Sequence, residues 1–384
     1  MNLQRIVAVA HKEWREIVRD KLFFALAFII PTVLMLMFGF GLSLDVENIP
    51  MAIVDQDGSA LSRDYAHRFI DSRYFHFLGY SHNERELTPL LTDNTIRAAI
   101  IIPEHFGQDL LAGRPAQVQT LIDGTFPFRA QTTKGYIIAI NSAVSAELLA
   151  DYLTRLRGIP HAQALQIVQP VRLETRYLYN QGVKSIWSLA PKLIMVILMI
   201  SPPFLTALGV VREKESGSIY NIYSSTLSRG EFLIGKLSPY VGISILNSLI
   251  LWFLATWLYA VPFKGPPLFF FVATVMYVIC TTGIGLVVSV LVRTQTAAMI
   301  VTAIFTIVPA VLYSGILVPI SSLTQAAQVI AHALPAMYYT NIVLGSFLKG
   351  VGFQALWLEL LILALYATVL FTIGYRMFSK RPKV

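Results

Sequence analysis

The sequence predicts an α-helical membrane protein of six transmembrane helices, with an α/β extracytoplasmic domain inserted between the first and the second. Three observations predict it. Six apolar windows are long enough to cross a bilayer core about 30 Å thick, which takes about 20 residues rising about 1.5 Å each. Only 14% of the 384 residues are charged and 55% are hydrophobic, against roughly 25% charged in an average soluble domain. Basic residues gather in short segments, while the one long polar stretch is near neutral.

That separation of charge sets the orientation. The amino end to Lys21, the stretch 212–236, Arg293 and the tail from Arg376 hold 14 Lys and Arg against six acids. Residues 45–188 hold 13 Lys and Arg against 15 acids. Short basic segments resist translocation, so both termini are expected in the cytoplasm and 45–188 outside. The net charge of +8 belongs to those flanks and not to a nucleic-acid-binding face.

Residues 1–21 come first. Leu3, Ile6, Val7, Ala10, Trp14, Ile17 and Val18 recur at three- and four-residue steps among Arg5, Lys12, Glu13, Arg15, Glu16 and Arg19, the pattern of a helix lying in the membrane interface. The first span, 22–44, is longer than the apolar region of about 7–15 residues in a cleaved signal peptide. Residues 45–188 then alternate strand-like runs at 51–54, 75–80, 98–102 and 118–122 with helical patterns at 60–69, 84–91, 104–111 and 129–156. Asp57-Gly58-Ser59, Gly113-Arg114-Pro115 and Asp123-Gly124 are turn signals, Ser59 also suits a helix cap, and the alternation argues for an α/β domain.

The second span is placed at 189–211, with its uncharged window from 193, and a cytoplasmic coupling loop or helix at 212–236. Spans three to five are placed at 237–261, 268–292 and 297–318. Between Pro319 and Gly350, two apolar stretches separated by Pro335 are each too short to cross, and read as a re-entrant or interfacial hairpin on the outer side. An ordinary span there would put the basic tail, 376–384, outside. The sixth span is 355–375. Cys280, the single cysteine, lies in an apolar run and reads as a small buried hydrophobe.

The motif search is mostly negative. Residues 230–236 carry the glycine and lysine spacing of a phosphate-binding loop, but Leu237 stands where Ser or Thr must ligate magnesium, and no strand precedes it. No Walker B partner is evident, so no cofactor is expected in this chain and any ATP and magnesium belong to a partner. Metal-ligating and nucleophile signatures are absent and the seven histidines are scattered, so no enzyme activity is expected. The first five apolar windows contain no Asp, Glu, Lys, Arg or His, and the sixth only Glu359, beside Trp357. Ion-coupled carriers commonly need such groups in the bilayer, which favours an external energy source. The stretch from Arg212 to Tyr223 is charged at its head and then amphipathic. It suits a short helix presenting Ile219, Ile222 and Tyr223 to a soluble partner, or a plain linker.

Taken in order, several short motifs resemble the ABC-2 type permeases of bacterial exporters over nearly the whole chain. They are Val18-Arg19-Asp20, Ile30-Pro31, Phe38-Gly39-Phe40-Gly41, Ile102-Pro103-Glu104-His105-Phe106, Thr175-Arg176-Tyr177, the charged run from Arg212, Phe232-Leu233 to Lys236-Leu237, Ser314-Gly315 and Leu334-Pro335-Ala336. Gly217-Ser218-Ile219-Tyr220 departs from the Gly-Thr-x-Glu of many members.

The resemblance implies two permease subunits, a homodimer or a heterodimer with a paralogue, in the bacterial inner membrane above two cytoplasmic ABC ATPase subunits. The coupling contacts it implies are Arg212, Glu213, Lys214, Glu215, Gly217, Ile219, Ile222 and Arg229. The path would run between subunits along the first, second and fifth spans under the outer hairpin, with Pro31, Phe38, Pro202, Pro203, Tyr313 and Pro335 as path or gate residues. Pro31 and Pro202-Pro203 are candidate kink sites. A periplasmic adaptor and outer-membrane channel are further implied partners, besides the lipid bilayer; no nucleic acid is expected. The implied function is export of a hydrophobic or amphipathic, drug- or lipid-like compound. Two other readings compete, a membrane-anchored scaffold or receptor with a periplasmic binding domain, and an ion-coupled carrier.

Overall fold

The structure is a computed structural model describing residues 2–42, 45–171, 173–218 and 227–378. It divides into two compact units, one of Met1–Ser43 with Arg176–Val384, the other of Leu44–Thr175.

The first unit begins with α1 (Leu3–Arg19). Its Glu13 and Ile17 are buried while Leu3, Val7, Trp14 and Val18 are exposed. Asp20 ends α1 and caps the next helix, its Oδ1 accepting from the Leu22 N–H at 2.8 Å. That helix, α2 (Lys21–Gly41), loosens into a π turn at Ala25–Ile29 just before Pro31. In that turn the Ile30 N–H goes to the Ala25 carbonyl, and Pro31, which has no N–H, cannot serve the Leu26 carbonyl. Ser201 Oγ donates to it instead at 3.0 Å.

The second unit holds a four-stranded sheet in the order β2-β1-β3-β4. Central β1 (Ile49–Asp55) is followed by α3 (Ala60–Ile70), β2 (Phe75–Tyr80), α4 (Glu84–Thr92), β3 (Ala98–Ile102), α5 (Phe106–Leu111) and β4 (Gln119–Ile122). β1 is parallel to β2 and β3, and β4 is antiparallel to β3. All five residues of β3 are buried, as expected of a strand covered on both faces. Ser59 caps α3, accepting from the Ser62 N–H at 3.1 Å. The long α6 (Pro127–Arg157) packs Ile137 and Val144 into the sheet's larger core, and Tyr136 stacks on Tyr74 with centroids 3.9 Å apart. A short α7 (His161–Val168) follows.

The rest of the first unit is helical. α8 (Ser185–Glu215), α9 (Arg229–Leu258), α10 (Pro267–Leu291), α11 (Gln295–Leu312) and α14 (Phe353–Met377) are long and apolar. The short α12 (Gln325–His332) and α13 (Pro335–Leu344) lie between α11 and α14. α8 is the axial element, with most of its residues from Leu189 to Val211 buried. Apolar surface gives helices little reason to associate within lipid, so packing depends on small residues that let backbones approach. A Cβ on Gly285 would lie 2.4 Å from the Pro203 carbonyl oxygen, and one on Gly374 would lie 2.5 Å from Leu286. The outer faces of α11 and α14 expose Ile300, Ile304, Phe305, Leu361 and Leu365.

Seven helices among the described residues are long and apolar enough to cross a membrane: α2, α6, α8, α9, α10, α11 and α14. The sequence windows number six, because α6 carries Arg129, Lys134, Glu147, Asp151, Arg155 and Arg157 along its length. One face of it, with Ile137, Ile140, Val144 and Leu148, packs on the sheet. The charged stretch also differs from a simple loop, since 212–215 complete α8 and 229–236 open α9. α8 runs through Pro202 and Pro203 without a break.

Candidate functional site

The basic end of the helical unit carries a knot of charges where α1, the end of α8 and the start of α9 meet. α9 starts with a capping box: Ser228 Oγ accepts from the Glu231 N–H at 3.2 Å, and Glu231 Oε2 accepts from the Ser228 N–H at 2.9 Å. Glu231 Oε1 also accepts from the Asn2 N–H at 2.6 Å, fastening the start of α9 to the start of α1. One turn on, the two helices touch at Gly235, where a Cβ would stand 2.8 Å from the Ile6 carbonyl oxygen. That contact needs glycine.

Beside it, Lys236 is fully buried. Its Nζ lies 2.6 Å from Glu13 Oε1 and 2.9 Å from Glu213 Oε2. Lys12 Nζ reaches the other Glu213 oxygen at 2.8 Å, and Tyr240 Oη donates to Glu13 Oε2 at 2.9 Å. Two carboxylates therefore face two ammonium groups, with no net charge. Burial raises the Glu13 carboxyl above its ordinary value; the Lys236 charge and hydrogen bond offset this only in part, and the Glu213 charge adds to it. Burial would lower the Lys12 ammonium, but its hydrogen bond to Glu213 and the charges of Glu213, Glu16 and Glu13 outweigh that and raise it. The carboxylates of Glu13, Glu16 and Glu213 approach within 4.8 Å of one another. Ammonium groups already occupy the space a cation would take.

The four charged residues that end α8 each hold a different element. Arg212 pairs with Asp20 at the α1–α2 junction, and Glu213 takes Lys12 of α1 and Lys236 of α9. Lys214 Nζ donates to the Ser289 carbonyl of α10. Glu215 Oε2 accepts from both the backbone and side-chain nitrogens of Gln295, at 3.0 Å each, where α11 starts. Gly217 then leaves the helix at φ +73°. The turn therefore ties the ends of four other helices to α8. It offers no nucleophile, general base or phosphate cradle.

The sequence profile of the ABC-2 family transporter proteins matches residues 21–376. The chain belongs to the ABC-2 transporter family. Relatives include the probable multidrug ABC transporter permease YbhS of Escherichia coli (strain K12), 27% identical over 351 residues, 91% of this chain and 90% of that protein. The probable multidrug ABC transporter permease YbhR of the same strain is 26% identical over 377 residues, 98% of this chain and 99% of its own length. The inner membrane transport permease YhhJ, also of that strain, is 25% identical over 332 residues, covering 86% and 85% of the two chains. ABC-2 membership makes the chain a multi-pass membrane component of an ABC transporter.

Among the coupling residues named from the sequence of this ABC-2 chain, Arg212, Glu213, Lys214, Glu215 and Gly217 lie together at the end of α8. Arg229 is exposed at the start of α9. Ile219 and Ile222 lie outside the described residues. Glu213 points inward, only 5% exposed, so its carboxylate holds the helices and is not presented to a partner. Of the path residues, Pro31, Pro202, Pro203 and Pro335 are buried, Tyr313 is partly exposed and Phe38 is exposed. Pro31 and Pro202 flank the Ser201–Leu26 bond; Pro335 opens α13. The sequence reading missed Glu13, Lys236 and Tyr240. The available signal was Glu13 itself, a charge in the apolar stripe Ile6, Val9, Ala10, Ile17.

Proposed function

We propose that this chain is the membrane-spanning subunit of an ATP-driven exporter, moving a hydrophobic or amphipathic compound out of the cytoplasm or inner leaflet. On this reading six helices span the bilayer, α2, α8, α9, α10, α11 and α14, and both termini are cytoplasmic. The α/β unit lies on the far side with α6 as one of its own helices, and α12 with α13 forms an outer hairpin. Two such subunits, identical or paralogous, sit above two ABC ATPase subunits that bind ATP and magnesium. The names of the E. coli relatives, probable multidrug ABC transporter permeases, support an export role.

The observation that carries the proposal is the turn at Arg212–Glu215, in which consecutive charged side chains fasten α1, α9, α10 and α11 to α8. Closure of an ATPase dimer acts on a membrane subunit only through contacts that differ between two conformations. On this reading such contacts reach the turn from the cytoplasmic side, and the turn passes the motion on. Affinity purification of the tagged chain from its native membrane tests the reading. A nucleotide-binding subunit with ATPase activity should elute with it; a chain that transports its substrate while eluting free of any such subunit would overturn the proposal.

A further inference from the structure

We infer that α1 carries a binding site for the headgroup of an anionic phospholipid, beyond any role in export. A cleft of about 610 Å3 opens along its polar face, with Lys12, Arg15, Glu16, Arg19, Asp20 and Arg212 as its charged lining and His11 beside them. The charges can be assigned one by one. Asp20 is taken by Arg212, and Glu16 lies 3.5 Å from Lys12, whose stronger partner is Glu213 at 2.8 Å. His11, Arg15 and Arg19 remain, all exposed and without an acidic partner within 4.0 Å among the described residues. Arg15 and Arg19 are four residues apart on one helix, where like charges repel. Two exposed guanidinium groups four residues apart, whose acidic neighbours in the cleft, Glu16 and Asp20, already have partners, suit a phosphate, which each can grip through paired N–H donors.

The second observation chooses a lipid over a soluble anion. Leu3, Val7, Trp14 and Val18 form an exposed apolar stripe along the same helix, between 45% and 73% exposed. Directly after Asp20, Leu22 and Phe24 continue that exposed surface into the α2 span. The helix thus presents an acyl-compatible stripe, an interfacial tryptophan and an unpaired cationic cleft, the features of a segment bound to an anionic bilayer surface.

Trp14 provides the readout. The full chain is placed in nanodiscs of phosphatidylcholine containing a minor fraction of brominated phosphatidylglycerol or, separately, the same fraction of brominated phosphatidylcholine, and tryptophan quenching is measured. Quenching by the anionic lipid should exceed that by the zwitterionic one, and the excess should vanish in Trp14→Phe. A basic residue near a membrane surface strengthens anionic-lipid binding by roughly fivefold, so Arg15→Gln with Arg19→Gln should weaken it about thirtyfold. Arg15→Lys with Arg19→Lys should retain most of the enrichment, which separates charge from folding because both side chains are exposed. Equal quenching by the two lipids would overturn the site, as would an excess that survives the double Gln variant. Displacement of the excess by millimolar inorganic phosphate would also overturn it, since the cleft would then take free anions.

Discussion

Replacing Lys236 by Met tests whether the buried knot is a directed set of pairs. Lys236 has no exposed side-chain surface and meets Glu13 at 2.6 Å and Glu213 at 2.9 Å. After Lys236→Met, Glu213 still holds Lys12 at 2.8 Å, whereas Glu13 keeps only the Tyr240 hydroxyl at 2.9 Å. Glu13, 2% exposed, becomes the unpaired charge. Stranding one partner of a buried ion pair costs about 3–5 kcal/mol, roughly a hundred- to a few thousandfold in the unfolding equilibrium. Glu13→Gln in the same chain removes the stranded charge and keeps a hydrogen-bond partner for Tyr240, so most of the loss should return. Glu213→Gln should recover nothing, because it weakens the Lys12 pair. Equilibrium unfolding of the detergent-solubilised chain compares the wild type with these three variants. Equal rescue by the two Gln substitutions, or none by either, would refute the pairing.

Three further outcomes follow from the geometry. Gly209→Ala sets a Cβ 1.9 Å from Tyr240 Oη and should cost about 1–3 kcal/mol through forced displacement; Tyr240→Phe in that chain should recover part of it in the same unfolding assay. Ser201→Ala removes the donor to the Leu26 carbonyl and should cost about 1 kcal/mol, a cost that shrinks when Pro31→Ala returns a backbone N–H to α2. In the α/β unit, Asp123 is held down to about 2 from 3.8, first by the hydroxyl and N–H of Thr125 and then by Arg97. A depressed carboxyl stabilises the fold above its unfolded value and loses that contribution as pH falls through the folded one. The stability gap between the full chain and its Asp123→Asn variant should therefore be full above about 4 and close toward about 2; a gap that widens over that interval would contradict the assignment.

The sequence carried much of this fold because its main signals are local. Strand runs at 75–80 and 98–102 match β2 and β3 residue for residue, since β-branched and aromatic runs bounded by turn residues need no distant information. The apolar windows likewise each overlap a long helix, because length and absence of charge suffice to mark them, but they overrun the helix ends, the window 297–318 passing the end of α11 at Leu312. Helix ends were less legible. Arg212–Glu215 reads as a loop in isolation and stays helical because each side chain finds a partner on another helix. The Lys236–Glu13 bond joins residues 223 positions apart, and no local pattern encodes such a pair. α6 is the converse, apolar enough to span by composition yet packed through Ile137 and Val144 against a sheet, as the charges along it and the strand runs around it indicate.

On the proposed function, motion generated by a partner ATPase enters through the turn at Arg212–Glu215 and is carried by the buried knot. The most direct measurement is substrate transported per ATP hydrolysed, in proteoliposomes holding the chain with its ATPase, for wild type and for Glu13→Gln with Lys236→Met. The account predicts that the double variant folds and hydrolyses ATP but transports far less per ATP. An unchanged ratio at full transport rate would contradict it.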